Sequence, residues 1–295
     1  MTDASVLIPT HRHATLLPHA IESALDQRGA SVEVLVVGDG VEDATRAVLA
    51  VFAHEPRVRF FDLPKGPRLG EGYRHGILEE ARGRFVCYLA DDDLLMPEHV
   101  SDMARLLERA DFAHSPPATF DPSGTLDFFP FNYGRADHVE IARGSPGSIG
   151  LTGVAHTLEA YRRLPFGWRV TPEGLPTDHY MWRQWVDLPG FRGAVGERLT
   201  HLAFPDPLWR TLPDGEREAA LADWFKRSRD PDFRAELDRM FVAAVRRAAE
   251  DFHVSTRTTK LTLQAVRSTR TWRVRDRLVG LRPLRALLAR RFGDR

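Results

Sequence analysis

The segment Phe85-Val86-Cys87-Tyr88-Leu89-Ala90-Asp91-Asp92-Asp93-Leu94-Leu95-Met96-Pro97 constrains the fold more than any other part of the chain. An uninterrupted apolar run of strand length, rich in aromatic and β-branched residues, suits a strand covered on both faces of a sheet. It runs directly into three carboxylates. Adjacent like charges at a strand end are costly unless they face water or share a cation. Two readings follow. A divalent metal such as Mg²⁺ or Mn²⁺, bound to a diphosphate, supplies that cation, because these ions favour carboxylate and phosphate oxygens. Alternatively, the acids form a solvated turn ahead of a helix that starts near Pro97, since Asp suits an N-cap and Pro the first helical turn.

The segments before it decide what kind of sheet this strand joins. Val6 to Thr10 reads as a short strand closed by Pro9, and Leu16 to Asp26 as a helix with Leu17, Ile21, Ala24 and Leu25 on one face. Val32 to Val37 is a second strand ending at Gly38-Asp39-Gly40, followed by a helix from Asp43 to His54. Val58 to Phe61 is a third strand; a Gly- and Pro-rich loop, Lys65 to Gly72, then leads into a helix from Tyr73 to Ala81. Strands alternating with helices make a parallel sheet with right-handed crossovers. Ligands of such sheets bind beyond the carboxyl ends of the strands. Here Thr10 to Arg12, Gly38 to Gly40 and Asp91 to Asp93 all fall at those ends, which favours the metal reading.

These residues carry a resemblance to a known family. Val6-Leu7-Ile8-Pro9-Thr10-His11-Arg12, Ala20 to Gln27, Val34 to Gly40, Ala81-Arg82-Gly83-Arg84 and Asp91 to Pro97 resemble, in order and spacing, the inverting family 2 glycosyltransferases. The resemblance covers about a third of the chain. It implies an α/β protein of the GT-A fold, Rossmann-like, with a mixed, mainly parallel sheet, helices on both faces and a C-terminal helical extension. It also implies a nucleotide-diphosphate sugar donor (UDP-, dTDP- or GDP-linked) and a divalent metal, Mn²⁺ or Mg²⁺. Pro9, Thr10 and Arg12 would pack on the nucleotide, Asp39 would accept from the base, and Asp91 would lie near the ribose or metal. Asp92 would be the direct metal ligand, joined by Asp93 and by His201, which follows an expected strand. Arg74 would stand in for the family's Arg-Asn pair and, with Lys65 and Arg68, clamp the diphosphate. Asp178, in Pro176-Thr177-Asp178-His179-Tyr180, would be the general base, with Glu173 in reserve; the same segment reads as a helix N-cap by Thr177 or Asp178. Two positions depart from the family: Ala90 stands where the first acid of the metal motif is frequent, and Thr177 where a Glu is usual. Those departures keep two alternatives open, an inactive nucleotide-sugar-binding protein and a nucleotidyltransferase, although the Gly-rich basic loop of the latter is missing after the first strand.

From Phe112 to Pro176 the sequence is irregular and rich in Gly, Pro and aromatics, and the resemblance makes it the acceptor side, for a saccharide, lipid-linked or small-molecule acceptor. Gly147 to His156 resembles a phosphate loop only superficially, lacking its Lys. Leu212 to Asp251 reads as helical. The expected organisation is a transferase domain over 1–211, divided into a donor half, 1–111, and an acceptor half, 112–211, with a helical extension over 212–295. Lys plus Arg and Asp plus Glu both total 41, but from Val254 onwards there are twelve basic residues and two acidic ones. That tail, with Leu278, Leu281, Leu284, Leu287, Leu288 and Phe292 among its arginines, suits peripheral contact with an anionic membrane. No nucleic-acid partner is expected. The one cysteine, Cys87, excludes an intrachain disulfide and sits in the buried run. With no signal or spanning segment evident, the expected location is the cytoplasm, peripheral at the inner face of the membrane.

Overall fold

The computed structural model describes residues 2–144 and 149–268. A seven-stranded sheet lies at the centre. Its first half follows the alternation read from the sequence: β1 (Ala4–Thr10), α1 (Leu17–Leu25), β2 (Val32–Asp39), α2 (Asp43–Val51), β3 (Val58–Leu63), α3 (Tyr73–Glu79) and β4 (Phe85–Tyr88). Three residues of 3₁₀ helix, Phe52–His54, finish the turn that the sequence assigns to α2. Then come β5 (Leu94–Leu95), α4 (His99–Leu107), β6 (Phe112–His114), β7 (Ala118–Phe120), β8 (Leu126–Phe128), α5 (Ala136–Gly144), β9 (Val154–Thr157) and α6 (Leu158–Tyr161). The remainder is α7 (Thr177–Val186), β10 (Gly193–Val195), β11 (His201–Leu202), α8 (Asp206–Trp209), α9 (Asp214–Ser228) and α10 (Phe233–Ser268).

The strand order is β10-β6-β9-β4-β1-β2-β3. β1 pairs in parallel with both β2 and β4, whereas β9 runs antiparallel between β4 and β6. The stretch ending at His156 is therefore a sheet strand at its C-terminal end, not a loop throughout. Because successive side chains of a strand point to opposite faces, the apolar runs split cleanly. Leu7, Leu35, Val37, Val86 and Tyr88 face one core with Trp182 and Trp185 of α7. Val6, Ile8, Val34, Val36, Phe85 and Cys87 face the other with α1 and α4. Continuous apolar strands are thus accounted for by helices on both sides.

A third core sits beside the acidic end of β4. Leu94 and Met96 meet Phe120, Leu202, Phe204 and Trp209, together with Leu221, Trp224 and Phe225 of α9 and Phe233 and Leu237 of α10. Pro231 lies between α9 and α10, where its ring cannot continue a helix, so the expected run from Leu212 is two helices. Residues 1–245 make one compact unit and residues 246–295 a second, whose described part, 246–268, is the later portion of α10. No helix among the described residues is long and apolar enough to cross a membrane. The amphipathic stretch Leu278 to Phe292 lies outside the described residues.

Candidate active site

β4 delivers its carboxylates to a corner where five elements converge. Asp91, Asp92 and Asp93 are all buried. Each is held differently. Asp91 accepts from His13 Nδ1 at 2.8 Å. Asp92 Oδ2 accepts from Arg217 Nη2 at 2.6 Å. Asp93 accepts from Thr152 Oγ1 at 2.5 Å and from the Phe204 N–H at 2.7 Å, so both its oxygens tie β4 to neighbouring loops. Thr152 also accepts from the N–H of Ala90, which closes the turn around the departure from the family pattern.

The electrostatics follow from burial. Desolvation, then the charges of Asp93 and Asp91, push the Asp92 carboxyl well above the usual range, against the pull of His13 and Arg217. Asp93 is raised to about 6, chiefly by desolvation. For His13, burial works against the charged form, yet the hydrogen bond and charge of Asp91 and the charge of Asp92 outweigh it and raise the ring to about 9. The corner collects cations because its carboxylates need them.

Asp206, at the start of α8, completes this corner. His13 Nε2 lies 3.8 Å from Asp206 Oδ1, and Arg217 Nη1 donates to the same oxygen at 2.9 Å. Ligand atoms of His13, Asp92 and Asp206 all lie within 4.8 Å of one another. One imidazole nitrogen and two carboxylate oxygens suit Mn²⁺ or Mg²⁺ by donor chemistry, so the residues fit a divalent ion, with Arg217 as the group that now shares their oxygens. Among the expected ligands only Asp92 belongs to this trio; Asp93 and His201 do not.

His201 and Asp178 instead meet Asp92 and Asp93 around a cavity of about 590 Å³. His201 follows β10, as the sequence suggested, and itself opens β11, paired antiparallel with Leu95 of β5. Burial lowers it to about 3, so the ring is neutral, and its Nδ1 has no partner. Asp178 lies half-buried in the first turn of α7. Pro176 is the N-cap there and no side chain caps the helix, so the expected Thr177 or Asp178 cap does not form. The carboxylate is left to face the cavity. Burial raises its pKa and the charge of Arg74 opposes that. Phe128, Phe129 and Phe204 wall the same space, Phe129 with 54% of its surface exposed. Glu173 is exposed and does not line it.

The expected donor residues gather on the neighbouring strand ends, outside that cavity. Pro9 and Thr10 pair with Val37 and Gly38, which sets the end of β1 beside Asp39. Thr10 is buried with its hydroxyl unpartnered, while Arg12 is exposed. Asp39 is buried and reaches across to the Lys65 to Gly72 loop, accepting from Lys65 Nζ and from the Gly66 N–H, both at 2.6 Å. Gly70 holds a positive φ of 63° with its backbone against the Asp39 carboxylate, where a side chain has no room. Lys65 therefore pairs with Asp39, and Arg68 donates to the carbonyls of Pro172 and Leu175.

Arg74 is the buried cation of this region. Its guanidinium stacks 4.4 Å from the centre of the Trp168 ring, and its Nε and Nη1 have no partner. It feels the charges of Asp178, Glu71 and Asp39. Trp168 is fixed in turn, donating from Nε1 to Tyr88 Oη at 2.8 Å. The residues that sequence reasoning misses are His13, Asp206, Arg217, Glu71 and Trp168. His13 carries a signal, since it follows Thr10 by three positions in a strand-end loop; Arg217 carries none.

Comparison with known proteins places this architecture. The sequence model of glycosyl transferase family 2 matches residues 5–163, just over half of the chain. The chain belongs to that family, and its fold is GT-A. S. aureus TarS, residues 1–349, superposes with a TM-score of 0.53 at 16% identity, over 77% of this chain and 71% of that one. A segment of 111 residues is 39% identical to the succinoglycan biosynthesis protein ExoO of Rhizobium meliloti, covering 38% of this chain and 30% of that protein. Another, of 107 residues, is 31% identical to a Campylobacter jejuni GalNAc(5)-diNAcBac-PP-undecaprenol β-1,3-glucosyltransferase, covering 35% of this chain and 34% of that protein. The matched stretches thus span about a third of these relatives' lengths.

Proposed function

We propose that the protein transfers a sugar from a nucleotide-diphosphate donor to an acceptor hydroxyl, with inversion at the sugar carbon. The observation that carries this reading is the shared cavity: a half-buried carboxylate, Asp178, and the acidic corner at Asp92 face one space. Asp178 takes the acceptor proton as the acceptor oxygen bonds to the sugar carbon; the bond from that carbon to the diphosphate breaks on the opposite side. A carboxylate whose pKa is raised by burial is a stronger base than a solvated one. Arg74, with two unpartnered donors, offers them to the leaving phosphates. Thr10 and Asp39 lie where the nucleoside enters, which requires the Lys65 to Gly72 loop to give up its hold on Asp39. TarS is known in complexes with UDP and with UDP-GlcNAc, which supports a nucleotide-sugar donor here.

A divalent ion held by Asp92 with His13 and Asp206 supplies Lewis acidity toward the charge that builds on the diphosphate. The apolar walls at Phe128 and Phe129 suit stacking on an acceptor sugar or the tail of a lipid-linked one. For the basic C-terminal tail we propose peripheral membrane contact, tested by co-sedimenting the full chain and a version ending at His253 with anionic vesicles; equal binding would refute it.

The decisive experiment separates binding from turnover. Thermal shifts with UDP-, GDP- and dTDP-sugars, with and without Mn²⁺, identify the donor, because a ligand of the folded state raises stability. Asp178→Asn should then keep the donor-induced shift and lose transfer by ~10²-fold or more. Transfer at the wild-type rate in that variant would remove Asp178 from the mechanism.

A further inference from the structure

Arg217 comes from the first turn of α9, 125 residues from Asp92 and 11 from Asp206 in sequence. It is 7% exposed and joins Asp92 to Asp206 with one nitrogen on each, at 2.6 and 2.9 Å. The two carboxylates it joins are the ones that, with His13, offer ligand atoms within 4.8 Å of one another. A guanidinium and a divalent ion compete for those two carboxylates, because each draws on the same negative charge and the two cations repel at contact distance. Burying Arg217 without a carboxylate partner is also unfavourable, so it stays while the oxygens are free.

We propose that Arg217 is the resident cation of the acidic corner, and that a divalent metal binds between His13, Asp92 and Asp206 only by displacing it. This rests on the reading of the corner as the donor's cation site, and adds a competitor to it. His13 enters as a ligand through Nε2 or Nδ1, its ring nitrogens lying 3.8 Å from Asp206 Oδ1 and 3.9 Å from Asp92 Oδ2. The displaced guanidinium has a planar, two-donor face suited to a diphosphate. Metal and donor therefore assist each other's binding: the donor gives Arg217 somewhere to go.

Mn²⁺ binding to the full chain, read from the free-ion electron paramagnetic resonance signal at pH 8 without nucleotide, tests the exchange. Arg217→Met should bind Mn²⁺ ~10-fold or more tightly than wild type, and Arg217→Lys, which keeps a charge but loses the two-pronged contact, should fall between. Equal affinity in all three proteins would overturn the proposal. Should Arg217→Met fail to fold, the lysine variant carries the comparison alone. Spin-echo modulation from an imidazole nitrogen should appear in the Mn²⁺ complex and vanish in His13→Ala while surviving His201→Ala; the reverse dependence would overturn the ligand set. The two proposals fail separately. Affinities in the expected order with no transfer to any acceptor would count against the proposed reaction alone, whereas full transfer with unchanged affinities would count against the exchange alone.

Discussion

Arg74 shows how a single residue can tune the chemistry proposed for another. It is buried against Trp168, and its charge is the first opponent of the burial that lifts Asp178. A base must be ionised to act, so its pKa sets the acid side of the pH–rate profile. Replacing Arg74 with Met keeps an unbranched apolar chain against the Trp168 ring and removes the charge. The Asp178 pKa then rises, and the acid limb of kcat/KM moves to higher pH. Donor affinity falls as well, since two donors to phosphate are lost. A variant whose affinity falls while its acid limb stays fixed would show that Arg74 serves the donor and leaves Asp178 untouched.

At the scale of elements, the Lys65 to Gly72 loop and the approach to α7 are held together by Glu71. This carboxylate is fully buried and accepts from the N–H groups of Leu69 at 3.0 Å and Thr171 at 2.8 Å. It therefore acts as a clasp between two segments a hundred residues apart. Glu71→Ala should cost about 2–4 kcal/mol, the range for hydrogen bonds to a buried charge plus the N–H groups left unpaired. It should also loosen the backbone around Lys65 and Arg68, which are already exposed, so limited trypsin digestion at those two positions would quicken before the rest of the chain is cut. Unchanged digestion would mean that Asp39 and the Arg68 contacts to Pro172 and Leu175 hold the loop without Glu71. Such a clasp is not legible in sequence, and the reason is general. Val6, Leu7, Val34, Leu35, Val36 and Val37 announce β1 and β2 because period-2 burial on both faces leaves an unbroken apolar run. The acid turn at Asp91 to Asp93 is legible for the same reason, as the point where the run stops. β9 is not, because Val154-Ala155-His156-Thr157 is short, follows two glycines closely and owes its strand to pairing with β4 and β6. His13, Asp206 and Arg217 meet because three separate loops and helices end at one corner; the strand-end position of His13 is the one local sign of it, and nothing local to Asp206 or Arg217 encodes the meeting.

For the whole molecule, buried titratable groups set the response to acid. His99, His156 and His201 are lowered to about 3 and His114 to about 4, in each case chiefly by desolvation. The His156 ring is locked neutral by its neighbours: Nε2 accepts from Tyr88 Oη at 2.7 Å while Nδ1 donates to the Thr157 carbonyl. A base with a depressed folded pKa is protonated first in the unfolded chain, so these four groups remove stability as pH falls below about 6.5. Asp92 and Asp93 act in the opposite sense. Their raised pKa values mean that the folded protein takes up protons before the unfolded one does, which recovers stability as pH falls through about 6 for Asp93. His19 and His179 are lowered in the same sense and Asp178 is raised with the carboxylates, so imidazoles outnumber the opposing acids and stability falls on net toward pH 5. Urea midpoints measured at pH 7, 6 and 5 should fall accordingly, and a flat profile would contradict the burial of these rings. Toward high pH the sign reverses through His13: its stabilising pair with Asp91 is complete below about 6.5 and is lost as pH rises through about 9. Saturating Mn²⁺ should steepen the acid limb, because a bound ion keeps Asp92 ionised and removes its compensating proton.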